Sequence, residues 1–209
     1  MVKPRQRPAA ETAQLLSREV KFEGWRKLEI FNLKPRSLRH DGWAAEMSRE
    51  IYSIGRVAAI LLYCPETDEI LLNQQFRVGA WAMDAEDPFL LECVMGMIDK
   101  DEDAEEAARR EAVEETGAEV RDAIFVGSFY PTPGTVAEEI YVYIGRIDKP
   151  QAGIFGLESE AEEIKTHLFP ANDVICMMDE GKIKNGMAMV AISWFARHKD
   201  KIQSAWSKK

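Results

Sequence analysis

Residues 96–118 read GMIDKDEDAEEAARREAVEETGA, and from Asp103 onward the stretch is written as a helix. Ala, Glu and Arg fill it, and all three are good helix formers. Asp101 or Asp103 can accept hydrogen bonds from the free N–H groups of the first turn. Gly117 is placed to end the helix in a left-handed conformation. On such a helix Glu111 and Glu115 are four apart, so both carboxylates lie on one face. Glu114 is four from Arg110, which can pair with it and fix its orientation. Ala104, Ala108 and Ala112 form a stripe of small residues that lets the helix approach a sheet closely, and Glu102 can fold back from before the first turn toward the same face. Carboxylates crowded in this way repel one another unless a cation sits among them. Hard oxygen ligands suit Mg²⁺ or Mn²⁺ rather than zinc. A glutamate-rich run alone is most often a solvated face; here two glycines and an Arg-Glu pair held in register argue for a metal platform.

Outward from this helix the chain reads as strands and further helices. Toward the N-terminus, Leu90 to Cys93 leads into the motif as a strand. Ile70 to Phe76 is the hairpin partner of Val57 to Tyr63, whose VAAILLY run is that of a buried strand. From Val20 to about Ile54 short β-like runs flank a turn at His40-Asp41-Gly42, as in a small antiparallel unit. Residues 1–18 read as a loose polar arm. Toward the C-terminus, Ala123 to Tyr130 and Glu139 to Ile147 read as strands around a rigid loop, Pro131-Thr132-Pro133-Gly134-Thr135. Ile164 to Phe169 follows the acidic segment GLESEAEE. Asp173 to Gly181 and Met187 to His198 read as helices, the second with Val190, Ala191, Trp194 and Phe195 as its apolar face. This alternation predicts an α/β chain with a mixed sheet flanked by helices. Residues 1–55 are expected to form the small β domain and residues 56–209 the main one.

Composition narrows the partners. The 209 residues, 46% hydrophobic and 30% charged, are those of a globular chain able to bury a core. A net charge of −9 argues against nucleic acid, which needs a basic surface. Cys64, Cys93 and Cys176 show neither a disulfide framework nor zinc spacing, and His40, His167 and His198 show no ligand spacing. With no signal peptide and no apolar run of membrane length, the expected location is the reducing cytoplasm, off the membrane.

The central stretch fits GX5EX7REUXEEXGU, with U aliphatic or small, at all nine fixed positions: Gly96, Glu102, Arg110, Glu111, Ala112, Glu114, Glu115, Gly117 and Ala118. This is the Nudix box, and the chain resembles the Nudix hydrolases. The resemblance implies an α/β/α sandwich and metal-assisted hydrolysis of a diphosphate linked to another group. It extends beyond the box toward the ADP-ribose pyrophosphatase family. Ser48-Arg49-Glu50-Ile51 is similar to part of that family's N-terminal sheet domain, which is exchanged in a homodimer. Gln75-Phe76-Arg77 ahead of a Leu-Leu-Glu strand, Asp179-Glu180-Gly181-Lys182-Ile183, and Pro133, fifteen residues beyond the box, are similar too.

Carried over position by position, the resemblance implies Glu111 and Glu115 as principal metal ligands, aided by Glu114 and the Met95 carbonyl, with Arg110 beside them. It implies Arg77 at the diphosphate and Glu138 at the terminal ribose, on the side of the Pro133 loop. Trp25, Arg49 and Glu50 would enclose the adenine, partly from the partner chain; a planar ring and a guanidinium suit stacking on a base. The general base falls in GLESEAEEI, where Glu162 aligns best and Glu160 and Glu163 compete. A carboxylate there can take a proton from water. One departure is Thr132-Pro133-Gly134-Thr135, which lacks the second glycine of the family's Ser-Pro-Gly-Gly loop. Gln74-Gln75-Phe76-Arg77-Val78 and Trp81 also resemble the GDP-mannose hydrolases of the same superfamily, so a nucleotide-sugar substrate other than ADP-ribose stays open. A non-catalytic nucleotide-sugar sensor and a nucleoside-triphosphate hydrolase are the weaker readings, since the box is intact and the N-terminal sheet unit is large.

Overall fold

A computed structural model describes residues 9–148, 152–156 and 161–206. They fall into two compact units. The first comprises residues up to Gly55 together with Tyr130–Glu138, and the second Arg56–Phe129 and the chain from Glu139 onward.

In the first unit a helical turn, α1 (Ala9–Thr12), leads into β1 (Ala13–Glu23), β2 (Lys27–Pro35) and the first half of β3 (Met47–Cys64). They form an antiparallel meander, with Glu19 opposite Ile30 and Glu29 opposite Ile51. The arm expected over residues 1–18 is therefore strand from Ala13 on, because its backbone pairs with β2 as far as Pro35. A buried carboxylate ties the three strands. Glu29 on β2 accepts two bonds from Arg18 of β1, at 2.7 and 3.0 Å, and one from the Ser53 hydroxyl of β3 at 2.6 Å.

In the second unit the rest of β3 pairs with β4 (Glu69–Phe76) and with β6 (Val94–Met97). β4 pairs in turn with β5 (Phe89–Glu92) and β10 (Ile164–Pro170), and β10 with β9 (Ile154–Phe155). β7 (Asp122–Phe129) pairs with β8 (Val136–Arg146), which also lies beside β3. Apart from that of β8 with β3, these pairings are antiparallel. α2 (Val78–Trp81) follows β4, α3 (Ala104–Thr116) follows β6, and α4 (Ala171–Asp179) and α5 (Gly186–Trp206) follow β10.

Alternation along β3 explains why VAAILLY is apolar throughout: the strand is covered on both faces. Ala58, Ile60 and Leu62 pack with Ala107, Ala108 and Ala112 of α3. On the opposite face the Tyr63 ring stands 4.8 Å from that of Phe195 and 6.4 Å from that of Trp206, both on α5. This is the helix–sheet–helix layering expected of the main body. β3 is one strand of 18 residues rather than two runs, because an alternating half-exposed stretch passes without a break into a doubly buried one. α5 runs eight residues beyond His198. Its buried face is Ala188, Ala191, Ile192, Phe195, Ile202 and Trp206, while Val190 is exposed; a helix covering one side of a sheet buries one stripe only.

Candidate active site

The central helix has the ends its sequence predicts. Asp103 accepts from the N–H groups of Glu105 and Glu106 and completes a capping box with Glu106. Gly117 closes the C-terminus at φ 67°, in the left-handed region. Packing of the alanine stripe brings α3 so close to β6 that a Cβ on Gly96 would fall 1.9 Å from the Cδ and Oε1 of Glu111. The first glycine of the motif is thus the space in which the Glu111 carboxylate lies. Arg110 gathers the surrounding acids. It donates to Glu102 at 3.0 and 3.1 Å, to Glu111 at 2.7 Å, to Glu114 at 3.2 Å and to the Met97 carbonyl at 2.9 Å. Glu102 also accepts from the Asp99 N–H, which folds it back as expected.

Glu115, one turn after Glu111, is 6% exposed, and its Oε2 accepts from the Asn73 amide of β4 at 2.6 Å. Burial, then the charges of Glu111 and Glu162, push its carboxyl well above the usual range, against the pull of Arg77 and of the Met95 backbone on β6. Burial also raises Glu111, opposed by the hydrogen bond and charge of Arg110. Glu114 is exposed, and Arg110 is its hydrogen-bond partner.

Facing these carboxylates, Arg77 follows the last residue of β4. Its Nε and Nη2 grip the carboxylate of Glu92 on β5, itself 2% exposed. Glu92 also accepts from Asn185 Nδ2 at 3.0 Å. Gln75 Nε2 donates to Glu162 Oε1 at 3.2 Å, which brings Glu162 to the acidic group. Glu163 is exposed and lines a separate hollow with Gln74, Asp87, Phe89 and Lys165. Glu160 lies outside the described residues. Asn73, Glu92, Asn185 and Gln75 were not picked out from the sequence as site residues. For two of them a signal was present: Asn73 ends the apolar Ile-Leu-Leu run, and Glu92 stands between Leu91 and Cys93. A polar group in such a run is costly unless it has a partner.

Trp25, Arg49, Glu50, Pro133 and Glu138 belong to the first unit. Trp25, 83% exposed, stands in the turn between β1 and β2 with the Arg26 guanidinium 4.0 Å above its ring. Arg49 and Glu50 are exposed on β3, opposite Phe31 and Ile30. The Lys27–Ser53 pair nearest Trp25 lies four residues, or about 13 Å, further along β3 than Arg49, so within one chain Trp25 and Arg49 do not meet. Pro133 sits in the exposed loop before β8. Glu138 on β8 is half-buried, and burial raises its carboxyl.

A divalent cation fits the donor set of the acidic face. Glu111 and Glu115 offer hard oxygens, and the buried Asn73 Oδ1 beside them has no hydrogen-bond partner. In this conformation no three His, Cys, Asp or Glu side chains among the described residues converge on one point. Glu111 is turned to Arg110 and Glu115 to Asn73.

A helix–sheet–helix body carrying a capped helix of paired glutamates against a glycine-cleared strand defines a class of metal-dependent hydrolase. Residues 54–188 match the NUDIX domain family, and the chain belongs to it as a Nudix hydrolase. It is 33% identical to the ADP-ribose pyrophosphatase of Escherichia coli (strain K12) over 99% of this chain and 100% of that protein. It is also 33% identical to that of Haemophilus influenzae, over 93% and 91%. A GDP-mannose pyrophosphatase of Cronobacter sakazakii is 34% identical over 74% of this chain and 80% of its own length. A solved structure described as an ADP compounds hydrolase superposes with a TM-score of 0.70 at 18% identity, covering 97% of this chain and 100% of that one, and shares the fold. No helix among the described residues is long and apolar enough to cross a membrane.

Proposed function

We propose that the protein hydrolyses the diphosphate of a nucleoside-diphosphate sugar, ADP-ribose above all, to AMP and ribose 5-phosphate. The observation that carries this reading is the Glu111–Glu115 pair, one turn apart on α3, with the charge of Arg77 acting on Glu115. Full-length similarity to ADP-ribose pyrophosphatases supports the choice of substrate.

Mg²⁺, or Mn²⁺ in its place, would be held by Glu111 and Glu115 with support from Glu114 and the Met95 backbone; when bound it offsets phosphate charge and acidifies water. The protein's own groups do the rest. Arg110 orients Glu111 and opposes the rise that burial gives its carboxyl, it holds Glu102 below the usual carboxylate range, and Arg77 presents its guanidinium to the diphosphate. Glu162 Oε1, held by Gln75, takes the proton of the attacking water. Trp25, Arg49 and Glu50 enclose the adenine, and Glu138, beside the Pro133 loop, meets the terminal ribose. The separation of Trp25 from Arg49 within one chain supports a homodimer in which both chains contribute to one base site. So do the exposed Leu15, Val20 and Phe22 of the first unit. A cytoplasmic location, with no nucleic-acid or membrane partner, completes the reading.

A second substrate, GDP-mannose, is favoured by the Gln74–Val78 stretch with Trp81 and by similarity to a GDP-mannose pyrophosphatase. The deciding experiment is a panel of ADP-ribose, GDP-mannose, other nucleotide sugars and nucleoside triphosphates with and without Mg²⁺, read as phosphate released by a coupled phosphatase. ADP-ribose is expected to give the highest kcat/KM. A clear preference for GDP-mannose would reassign the sugar, and binding without turnover of any member would return the protein to the sensor class.

A further inference from the structure

Arg77 is an arginine that its neighbours have already set in place. Its side chain remains 37% exposed, whereas the side chain of Glu92, whose carboxylate it grips, is almost wholly buried. Nε reaches Glu92 Oε1 and Oε2 at 3.1 and 2.9 Å, and Nη2 reaches Oε2. Glu92 Oε1 accepts in addition from Asn185 Nδ2 at 3.0 Å, and Asn185 Oδ1 accepts the N–H of Ala188 at 2.9 Å, in the first turn of α5. The residue after β4, the last residue of β5 and the entry to α5 are therefore joined by one chain of side-chain hydrogen bonds.

The geometry leaves Arg77 a defined set of free donors. A guanidinium carries five N–H groups in a rigid fork. Those of Nε and one of Nη2 face Glu92, so Nη1 and the remaining Nη2 hydrogen are left for an anion. A solvent-facing arginine loses rotamer freedom when it meets a ligand, and one clamped beforehand does not. The clamp is itself clamped: with Asn185 on one oxygen and Arg77 on both, the buried Glu92 carboxylate has no freedom to turn. From this we infer that Glu92, and Asn185 through it, is a positioning residue that presets Arg77 for the substrate diphosphate. The inference rests on the reading that Arg77 meets that diphosphate. The rival is an ion pair that only holds β5 and α5 in place.

The test is steady-state kinetics on ADP-ribose with Mg²⁺ for the full-length wild type, Glu92→Gln, Asn185→Ala, Arg77→Ala and the Arg77→Ala/Glu92→Gln double variant. Glu92→Gln is expected to raise KM about tenfold with kcat within about threefold, and Asn185→Ala to act in the same direction by less. In the Arg77→Ala background Glu92→Gln is expected to add nothing, since the group it positions is gone. A folded Glu92→Gln with wild-type KM overturns the inference, as do effects of the two substitutions that multiply. Arg77→Ala with wild-type KM overturns the functional reading itself, whereas multiplying effects on a clear Arg77→Ala defect overturn the positioning role alone. Should Glu92→Gln not fold, the substrate-free wild type decides by ¹H–¹⁵N spectroscopy. An Arg77 Nε–H signal, assigned by its loss in Arg77→Lys, should be protected from exchange with water and lose that protection in Asn185→Ala; an unprotected signal overturns the inference.

Discussion

The Glu111 carboxylate occupies the volume that a side chain on Gly96 would fill, 1.9 Å from the position of the missing Cβ. Gly96→Ala therefore cannot be accommodated without moving Glu111 or parting α3 from β6. The expected outcome is a fall in kcat of about 100-fold, with a stability cost of about 1–3 kcal/mol for the overpacked contact. Turnover and urea unfolding of the same preparation check both. A Gly96→Ala enzyme of normal activity would mean that Glu111 works from some other position.

Two neighbouring glutamates have different surroundings, which tests the choice of Glu162 as base. Glu162 is tethered to Gln75, while Glu163 is exposed away from the acidic face. Glu162→Gln should lower kcat by about 10² to 10⁴, the span of general-base catalysis, and Glu163→Gln should stay within about threefold of wild type. The reverse order in a single-turnover assay would hand the role to Glu163.

Glu29 gives the first unit a pH dependence of known sign. Hydrogen bonds from Arg18, then from Ser53, hold its carboxyl below the usual range against the opposing effect of burial. A depressed folded-state value stabilises the protein at every pH above the unfolded value of about 4.3, and that stabilisation fades as pH falls through the folded value. The difference in melting temperature between wild type and Glu29→Gln should thus be greatest near neutrality and shrink below about pH 4. An unchanged difference at pH 3 would show that the charge of Glu29 does not stabilise the sheet.

On the far face of the main sheet Phe195 is fully buried against Tyr63. Phe195→Ala should cost about 3–5 kcal/mol through lost burial and the cavity left behind, read as a lower urea midpoint. A loss below about 1 kcal/mol would mean that α5 repacks freely on the sheet.

The central helix was legible apart from its first residue, since its signals are local: Gly117 ends it as its type requires, the structure takes Asp103 rather than Asp101 as the N-cap, and Gly96 lies in register with Glu111. Several strands of the main body were legible for the same reason, as runs such as Ile70 to Phe76 carry their own pattern, but the short β6 (Val94–Met97) and β9 (Ile154–Phe155) were not, since four and two residues hold too little alternation to stand out. Contacts distant in sequence were not. Nothing near Glu92 announces Asn185, 93 residues on, and nothing near Asn73 announces Glu115. The part of β1 before Val20 was missed because the strand is exposed along nearly its whole length; its polar residues resemble a loose arm, and only their pairing with β2 makes them a strand. Arg110 was read as a partner of Glu114, whereas it also binds Glu102, Glu111 and a backbone carbonyl, because only the fold brings those groups to its reach.

The central claim is that a divalent ion held by the α3 carboxylates drives hydrolysis of ADP-ribose. The most direct measurement is chromatographic: AMP formed from ADP-ribose by wild type and by Glu111→Gln, each with Mg²⁺ and with the metal chelated, alongside circular dichroism of both proteins. The expected result is rapid Mg²⁺-dependent AMP formation by wild type, none after chelation, and a loss of at least about 100-fold in a normally folded Glu111→Gln. Equal turnover by the two proteins, or turnover indifferent to chelation, would contradict it.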